Sequence, residues 1–544
     1  MDIGPMSRRR FLAGASGVAL AVTSAPLLTA CGGGTDPAEQ GAANRAVTLP
    51  DHVPFTGVEP DLPASQDGVL AGYFAYPSPP VRGITGEPGT AGEEITALVN
   101  LFEPVPPDTG DNAYWQALND RLGTELKLNM VPDSSYLQRL SAVLAGGDLP
   151  DLVQIRLDQP QRAQVLRARF TDLTEYLSGD AVRRYPFLAN IPTDSWRACV
   201  YNGGIYALPT PRPSVGSLML CRADLIEERG LNPEPADFAE FAELCAGLTD
   251  ERAGRWALGF GSAGPLSTWA FLMQMLGAPN EWGEEGGTFT SWFETEEARQ
   301  AADDLARLVR DGVFHPDSFA ATSDPRIWFG TGKTAINRDG AAAWDLLANT
   351  YGISVGALVA PAHDGGGDAA HYAGGPTFAL TALKKTDDRR RVEQLLSLAN
   401  WLAAPIGTEE HLFRGYGVEG EHFTLEDGVP TLTGTGETET RLPLAYLTEG
   451  PPFLGPGDAS RVRAQHAYQE RVVPRLVRSA GFGLYSDTDT TKKGVIQRLM
   501  QDTLNQIMQG NKPVSAWDDA LGDWRRQGGD AIRAEYEAEF AHAR

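Results

Sequence analysis

Phe329-Gly330-Thr331-Gly332-Lys333-Thr334 comes nearest to a chemical signature in this 544-residue chain, because a glycine loop ending in Lys-Thr can wrap a phosphate. Such a loop also needs a glycine five positions before Gly332, where this chain has Ile327, so the match is coincidental. No G-x-S-x-G elbow presents a nucleophilic serine. The eight histidines never form H-E-x-x-H, and none of the four cysteines pairs as C-x-x-C, so no zinc or other metal site is expected. Cys199, Cys221 and Cys245 are read as buried, inert thiols. Carboxylates are abundant, but nothing singles out two of them as an acid–base pair. The residues point to binding rather than catalysis, and no cofactor is expected.

The composition is globular, with 42% hydrophobic and 22% charged residues, and the length suffices for two domains. Net charge is −25, and removing residues 1–30, with Arg8, Arg9 and Arg10 against Asp2, leaves −27. Such acidity argues against nucleic acid and against electrostatic docking on anionic lipid.

The elements that must position any site follow from periodicity. Residues 46–90, rich in Pro and Gly, read as an extended wrapping segment. Glu125 to Val131 alternates polar and apolar like a half-buried strand. Leu137, Leu140, Val143 and Leu144 share one helix face, and Leu152 to Ile155 is a short buried strand. Strand, helix, strand in that order implies a parallel sheet. Leu218–Leu220 and Ala257–Phe260 read as further strands, and Ile353, Val355, Ala357 and Val359 mark another by period two. The strongest helical patterns are 296–311, 390–403 and 493–508.

Ser7-Arg8-Arg9-Arg10-Phe11-Leu12 precedes an apolar run too short for a stable span and resembles a twin-arginine export signal. Leu28-Thr29-Ala30-Cys31 resembles a lipobox, so residues 1–30 are read as a lipoprotein signal peptide and Cys31 as the lipidated residue. The glycine run after Cys31 makes 31–66 a flexible tether followed by extended chain. The lipid would be the membrane anchor, at the outer face of the cell membrane.

Asn119-Asp120-Arg121-Leu122-Gly123-Thr124, ELKLNMV and AGGDLPDLVQI resemble the opening of bacterial extracellular solute-binding proteins of family 1, the receptors of sugar ABC importers. Phe170–Leu177, YNGGIYALPTPRPSVGSLMLCRADLIEERGL, DGVFHPD and FGTGKTAINRDG continue the resemblance in the family's order. Tyr416–Thr424 and the terminal QGGDAIRAEYEAEFA resemble its larger, lipoprotein-type branch. The resemblance implies a periplasmic-binding-protein type II fold: two α/β lobes around a hinged ligand cleft. Lobe 1 would comprise 67–215 and 374–435, and lobe 2 would comprise 216–373 and 436–544, with crossings near 214–217, 372–377 and 430–445. It further implies a monomeric receptor that closes on a carbohydrate and hands it to an ABC-transporter permease. A receptor for a non-sugar polar solute or peptide, or an exported carbohydrate-active enzyme, are the alternatives. Some relatives hold calcium in an acidic loop, whereas Thr249–Gly254 here lacks the alternating oxygen ligands.

Ligand crevices in such sheets lie beyond the carboxyl ends of strands. The candidate contacts there are Glu103, Tyr114, Arg156, Asp158, Arg212, Trp269, Arg338, Asp339 and Tyr372. Arginine and carboxylate groups suit sugar hydroxyls, and aromatic faces suit the C–H side of a ring. Two of these sets have structural alternatives: Arg156 with Asp158 as a loop ion pair, and Arg338 with Asp339 as helix caps. Pro211 and Pro213 stiffen the backbone around Arg212. The expected consequence of the leader is testable by fractionation. The parent protein should sediment with membranes and Cys31→Ser should remain soluble, whereas equal detergent partitioning of both would contradict the lipid anchor.

Overall fold

The strand Glu94–Leu101 (β1) carries EITALVNL and is buried from Ala97 to its end, as befits a strand covered on both faces. The structure, a computed structural model, describes residues 37–89, 93–260, 264–320 and 324–543. The leader and Cys31 lie outside those residues. β1 sits between Glu125–Pro132 (β2) and Leu152–Arg156 (β3), parallel to both, with the helix Asp133–Gly146 as the crossover. The parallel βαβ unit expected from periodicity is therefore present. The sheet then turns mixed: Leu208–Pro211 (β4) is its far edge, and Thr377–Leu383 enters antiparallel between β3 and β4. One core, including Leu98, Val153, Trp196, Leu380 and Leu396, packs about this sheet.

A three-stranded sheet is built from Ser217–Arg222 (β5), Ile336–Gly340 (β6) and Val355–Leu358 (β7), with Thr377–Leu383 thus becoming β8. β5 is central and antiparallel to both neighbours. Its alternation separates two cores. Met219 and Cys221 face a large one with Trp269, Leu305 and Trp517, whereas Leu218 and Leu220 face a smaller one with Phe329 and Trp344. The helices Glu296–Arg310, Arg389–Leu402 and Asp487–Met508 match the three strongest periodic stretches, with Thr295, Asp388 and Ser486 capping their first turns.

The two sheets are joined where chain segments run side by side. Val215 bridges Ala373 antiparallel, and the Gly374 N–H donates to the Ser214 carbonyl at 2.8 Å. His371–Tyr372 pairs in parallel with Leu476–Val477. Asn280 ties the seam, its Nδ2 donating to the carbonyls of Ala373 (3.0 Å) and Val477 (2.9 Å). At the tightest point two glycines touch. A Cβ on Gly374 would stand 2.5 Å from the Gly216 Cα, and one on Gly216 2.6 Å from the Gly374 Cα.

Two local expectations differ from the structure. Ala257–Phe260 is not a strand: Leu258 and Trp256 make single bridges to Phe314 and Thr334. Gly259 leaves room there for the Trp328 indole, whose ring would lie 3.0 Å from an added Cβ. Pro37–Arg45, read as tether from composition, is a helix docked by a 2.8 Å Arg45–Glu539 ion pair. The following segment does wrap the first sheet's core, with Val53 N–H on Ala189 O and the Phe55 ring edge-on to Phe187. Cys199, Cys221 and Cys245 are free and buried, and burial pushes the Cys221 thiol up to about 12.

The glycine contact leads to a direct expectation. Gly374→Ala should destabilise the protein by about 1–3 kcal/mol in urea titration, because backbone rather than a flexible side chain must move. Gly375→Ala, with its nearest atom at 3.7 Å, is the control and should be near neutral.

Candidate functional site

A cavity of about 880 Å³ opens beside the seam. Its walls include Leu157, just past the end of β3, and Ser217, Gly374 and Gly375 from the joining segments. Arg338 on β6 and Tyr372 face it from the second sheet's side, with Trp282 and Trp292 beside them. Phe482, on the glycine-flanked turn Gly481–Gly483, and the helix Asp487–Met508 complete it.

Aromatic rings are layered under this surface. Trp292 is partly exposed, and its ring lies 5.1 Å from that of Trp269 and 6.2 Å from that of Tyr372. Tyr372 is fixed by donating its hydroxyl to Ala278 O at 3.0 Å and its N–H to Gln274 Oε1 at 3.2 Å. Burial holds its phenol above the ordinary range. Charges on the same walls are largely self-compensated. Lys493 meets Glu281 at 3.0 Å, and Arg478 meets Asp194 at 3.0 Å. Asp489 is held above the usual carboxylate range by burial, against the pull of Lys493.

Of the nine residues proposed from sequence, Arg338 and Tyr372 line this cavity. Neither Arg338 nor Asp339 is a helix cap; both lie on β6. Register explains why these neighbours part. Arg338 is opposite Met219 and Asp339 opposite Leu218, so their side chains leave opposite faces. Asp339 instead takes both arms of Arg326, at 2.7 and 2.8 Å.

Arg212 and Glu103 fall in a second assembly. Arg212 stands 4.7 Å from the Phe378 ring and 5.9 Å from the Tyr446 ring, and 3.6 Å from Glu449. Phe102, Phe378 and Tyr446 form a trio with centroids 5.0–5.9 Å apart. Burial raises the Tyr446 phenol, while Arg212, Glu449, Glu103 and Arg326 act on it electrostatically. This assembly gathers at the end of the first sheet where β1 and β4 finish and β8 begins. Arg156 and Asp158 pair with each other at 3.0 Å, and Arg156 also takes Asp133 at 2.6 Å, so the loop ion pair is what the structure contains.

Two candidates need correction. Tyr114 is fully buried, donates to Arg414 O at 2.7 Å and packs on Phe413. Trp269 is also fully buried, its Nε1 donating to Ala298 O at 3.1 Å among Trp292, Phe293 and Trp517. Both occupy the interior because the helices that carry them, Ala113–Leu122 and Leu266–Met275, turn these positions into the core. Sequence reading missed Trp292, Phe482, Arg478 and Lys493 as cavity residues. Gly-Phe-Gly at 481–483 was the one legible signal, since an aromatic between glycines marks a turn.

The profile described as bacterial extracellular solute-binding protein matches residues 106–409. The chain belongs to that family. Lipoprotein LipO of Bacillus subtilis (strain 168) is 24% identical over 480 residues, covering 81% of this chain and 91% of LipO. Polygalacturonan/rhamnogalacturonan-binding protein YtcQ of the same organism is 24% identical over 508 residues, covering 88% and 97%. The solved structure of an HMO binding ABC-transporter associated solute binding protein from Bifidobacterium longum infantis superposes with a TM-score of 0.58 at 14% identity. It covers 84% of this chain and 99% of that one. The fold is periplasmic-binding-protein type II, with two α/β lobes, and family and fold are those of solute-binding proteins rather than enzymes.

The layered rings give a stability prediction. Trp269→Ala should cost about 3–5 kcal/mol in urea denaturation, as for a buried aromatic truncation. Trp292→Ala, at a partly exposed position on the cavity wall, should cost clearly less; equal losses would contradict the layering.

Proposed function

We propose that this member of the family is a lipid-anchored carbohydrate receptor at the outer face of the cell membrane. It closes its lobes on a saccharide and delivers it to the permease of an ABC importer. The observation that carries this reading is the cavity itself, which sets Trp292, Phe482 and Tyr372 beside arginine, lysine and carboxylate groups. Aromatic faces cover the C–H side of a pyranose, while charged donors and acceptors satisfy its hydroxyls. Some 880 Å³ would hold an oligosaccharide rather than a single ring. The names of YtcQ and of the Bifidobacterium protein, which specify polysaccharide and HMO binding, support a saccharide ligand. The leader of residues 1–31 supports export and lipidation.

Core membership supports a division into lobes. Leu442, Leu444 and Leu447 join the core of the first sheet, and Tyr468 and Val472 join that of the second. We therefore propose the third passage between about 448 and 467 rather than at 430–445. The other two passages are the segments meeting at Gly216 and Gly374. Ligand that touches both lobes binds the closed form best and so drives closure.

A saccharide panel tests the proposal. A bound sugar at a hundredfold excess over its Kd should stabilise the protein by about 2.7 kcal/mol, raising its melting temperature without turnover. Trp292→Ala should lower affinity for that sugar by about tenfold, the loss of roughly 1.4 kcal/mol of ring contact. Product formation abolished by replacing one carboxylate would overturn the receptor reading.

A further inference from the structure

Arg338 differs from other arginines packed around the second sheet. Arg222 takes Asp224 at 2.7 Å, Arg326 takes Asp339, and Arg471 takes Asp368 at 2.6 Å. Arg338 has no ion pair, no side-chain hydrogen bond and no ring beneath its guanidinium among the described residues, although it is only partly exposed and lines the 880 Å³ cavity. Burial lowers its pKa to about 10, and the neighbours that act on it are the phenols of Tyr372 and Tyr468. His371 beside it is pushed down to about 4, by burial first and then by Arg338, so no protonated imidazole competes there at neutral pH.

We propose that Arg338 is the counter-charge for a carboxylate on the ligand, which makes the substrate class an acidic, uronate-bearing saccharide. An unpaired guanidinium withdrawn from water is costly, and sugar hydroxyls compensate it only as dipoles. A carboxylate matches the planar fork with two parallel hydrogen bonds and cancels the charge. Lys493 is committed to Glu281 and Arg478 to Asp194, and of the two cations left Arg498 is exposed, so the one withdrawn from water is Arg338. Arg498, on the same cavity wall, also lacks an ion pair among the described residues and adds positive potential. One deeply placed uncompensated charge suits a singly charged group, whereas a phosphate monoester brings about −1.5 to −2. The inference rests on the carbohydrate reading above and adds the charge of the sugar and the residue that selects it.

The test uses oligogalacturonides, oligomannuronides and aldouronic xylo-oligosaccharides. Each is paired with its reduced counterpart, in which CH2OH replaces the carboxylate, and a sulfated neutral oligosaccharide is added. Calorimetry on the mature protein should show at least one uronate bound ten- to a hundredfold more tightly than its reduced partner, weakening as salt rises. Arg338→Gln should erase that preference while the melting temperature of the ligand-free protein holds or rises, since no native partner is lost. A reduced or sulfated sugar bound as tightly as every uronate would overturn this inference and leave the carbohydrate receptor standing. So would an unchanged uronate affinity in Arg338→Gln. Binding of none of the saccharides, charged or neutral, would instead remove the carbohydrate reading itself.

Discussion

The backbone-to-backbone contact of Gly216 and Gly374 is the constraint on which the rest depends. Two segments, one leaving the first sheet for the second and the other returning, lie this close only because neither carries a Cβ at the crossing. Their approach lets Val215 bridge Ala373 and brings Gly374 N–H onto Ser214 O. Asn280, reaching from the second core, then holds Ala373 and Val477 with one amide. Part of the cavity lining hangs from this seam. Tyr372 precedes Gly374 by two residues, Ser217 follows Gly216 by one, and Arg338 sits on the strand paired to β5.

Rigidity of the cavity floor comes from a different source. Trp292 rests on Trp269, which rests on Trp517 and Phe293, so a partly exposed ring is supported by fully buried ones. Dense aromatic packing holds each ring in one orientation, as preorganised binding requires. Electrostatics sets the chemistry on top. In a chain of net charge −25, two of the four cationic groups lining the cavity, Lys493 and Arg478, have carboxylate partners, whereas Arg338 and Arg498 have none among the described residues.

Much of the fold was legible because periodicity reports burial. The βαβ order around β1, the helices at 296–310, 389–402 and 487–508, and the family itself followed from local pattern and ordered motifs. The segment Ala257–Phe260 was misread because a short apolar run is equally compatible with a strand and with buried irregular chain. At the site, only Arg338 and Tyr372 of the nine residues named from sequence line the cavity.

Sequence alone determined the class of protein and the lack of a recognisable catalytic motif, since each is written in contiguous residues. Only the tertiary structure decided which face each side chain took. A strand turns successive residues to opposite sides, so Arg338 met the cavity while Asp339 met Arg326. Tyr114 and Trp269, equally plausible as ligand contacts by type, were drawn into cores by the helices that carry them. The pairing of charges was likewise decided by contacts between residues far apart in the chain, such as Arg478 with Asp194 and Lys493 with Glu281. No local pattern encodes which arginine will be left without a partner.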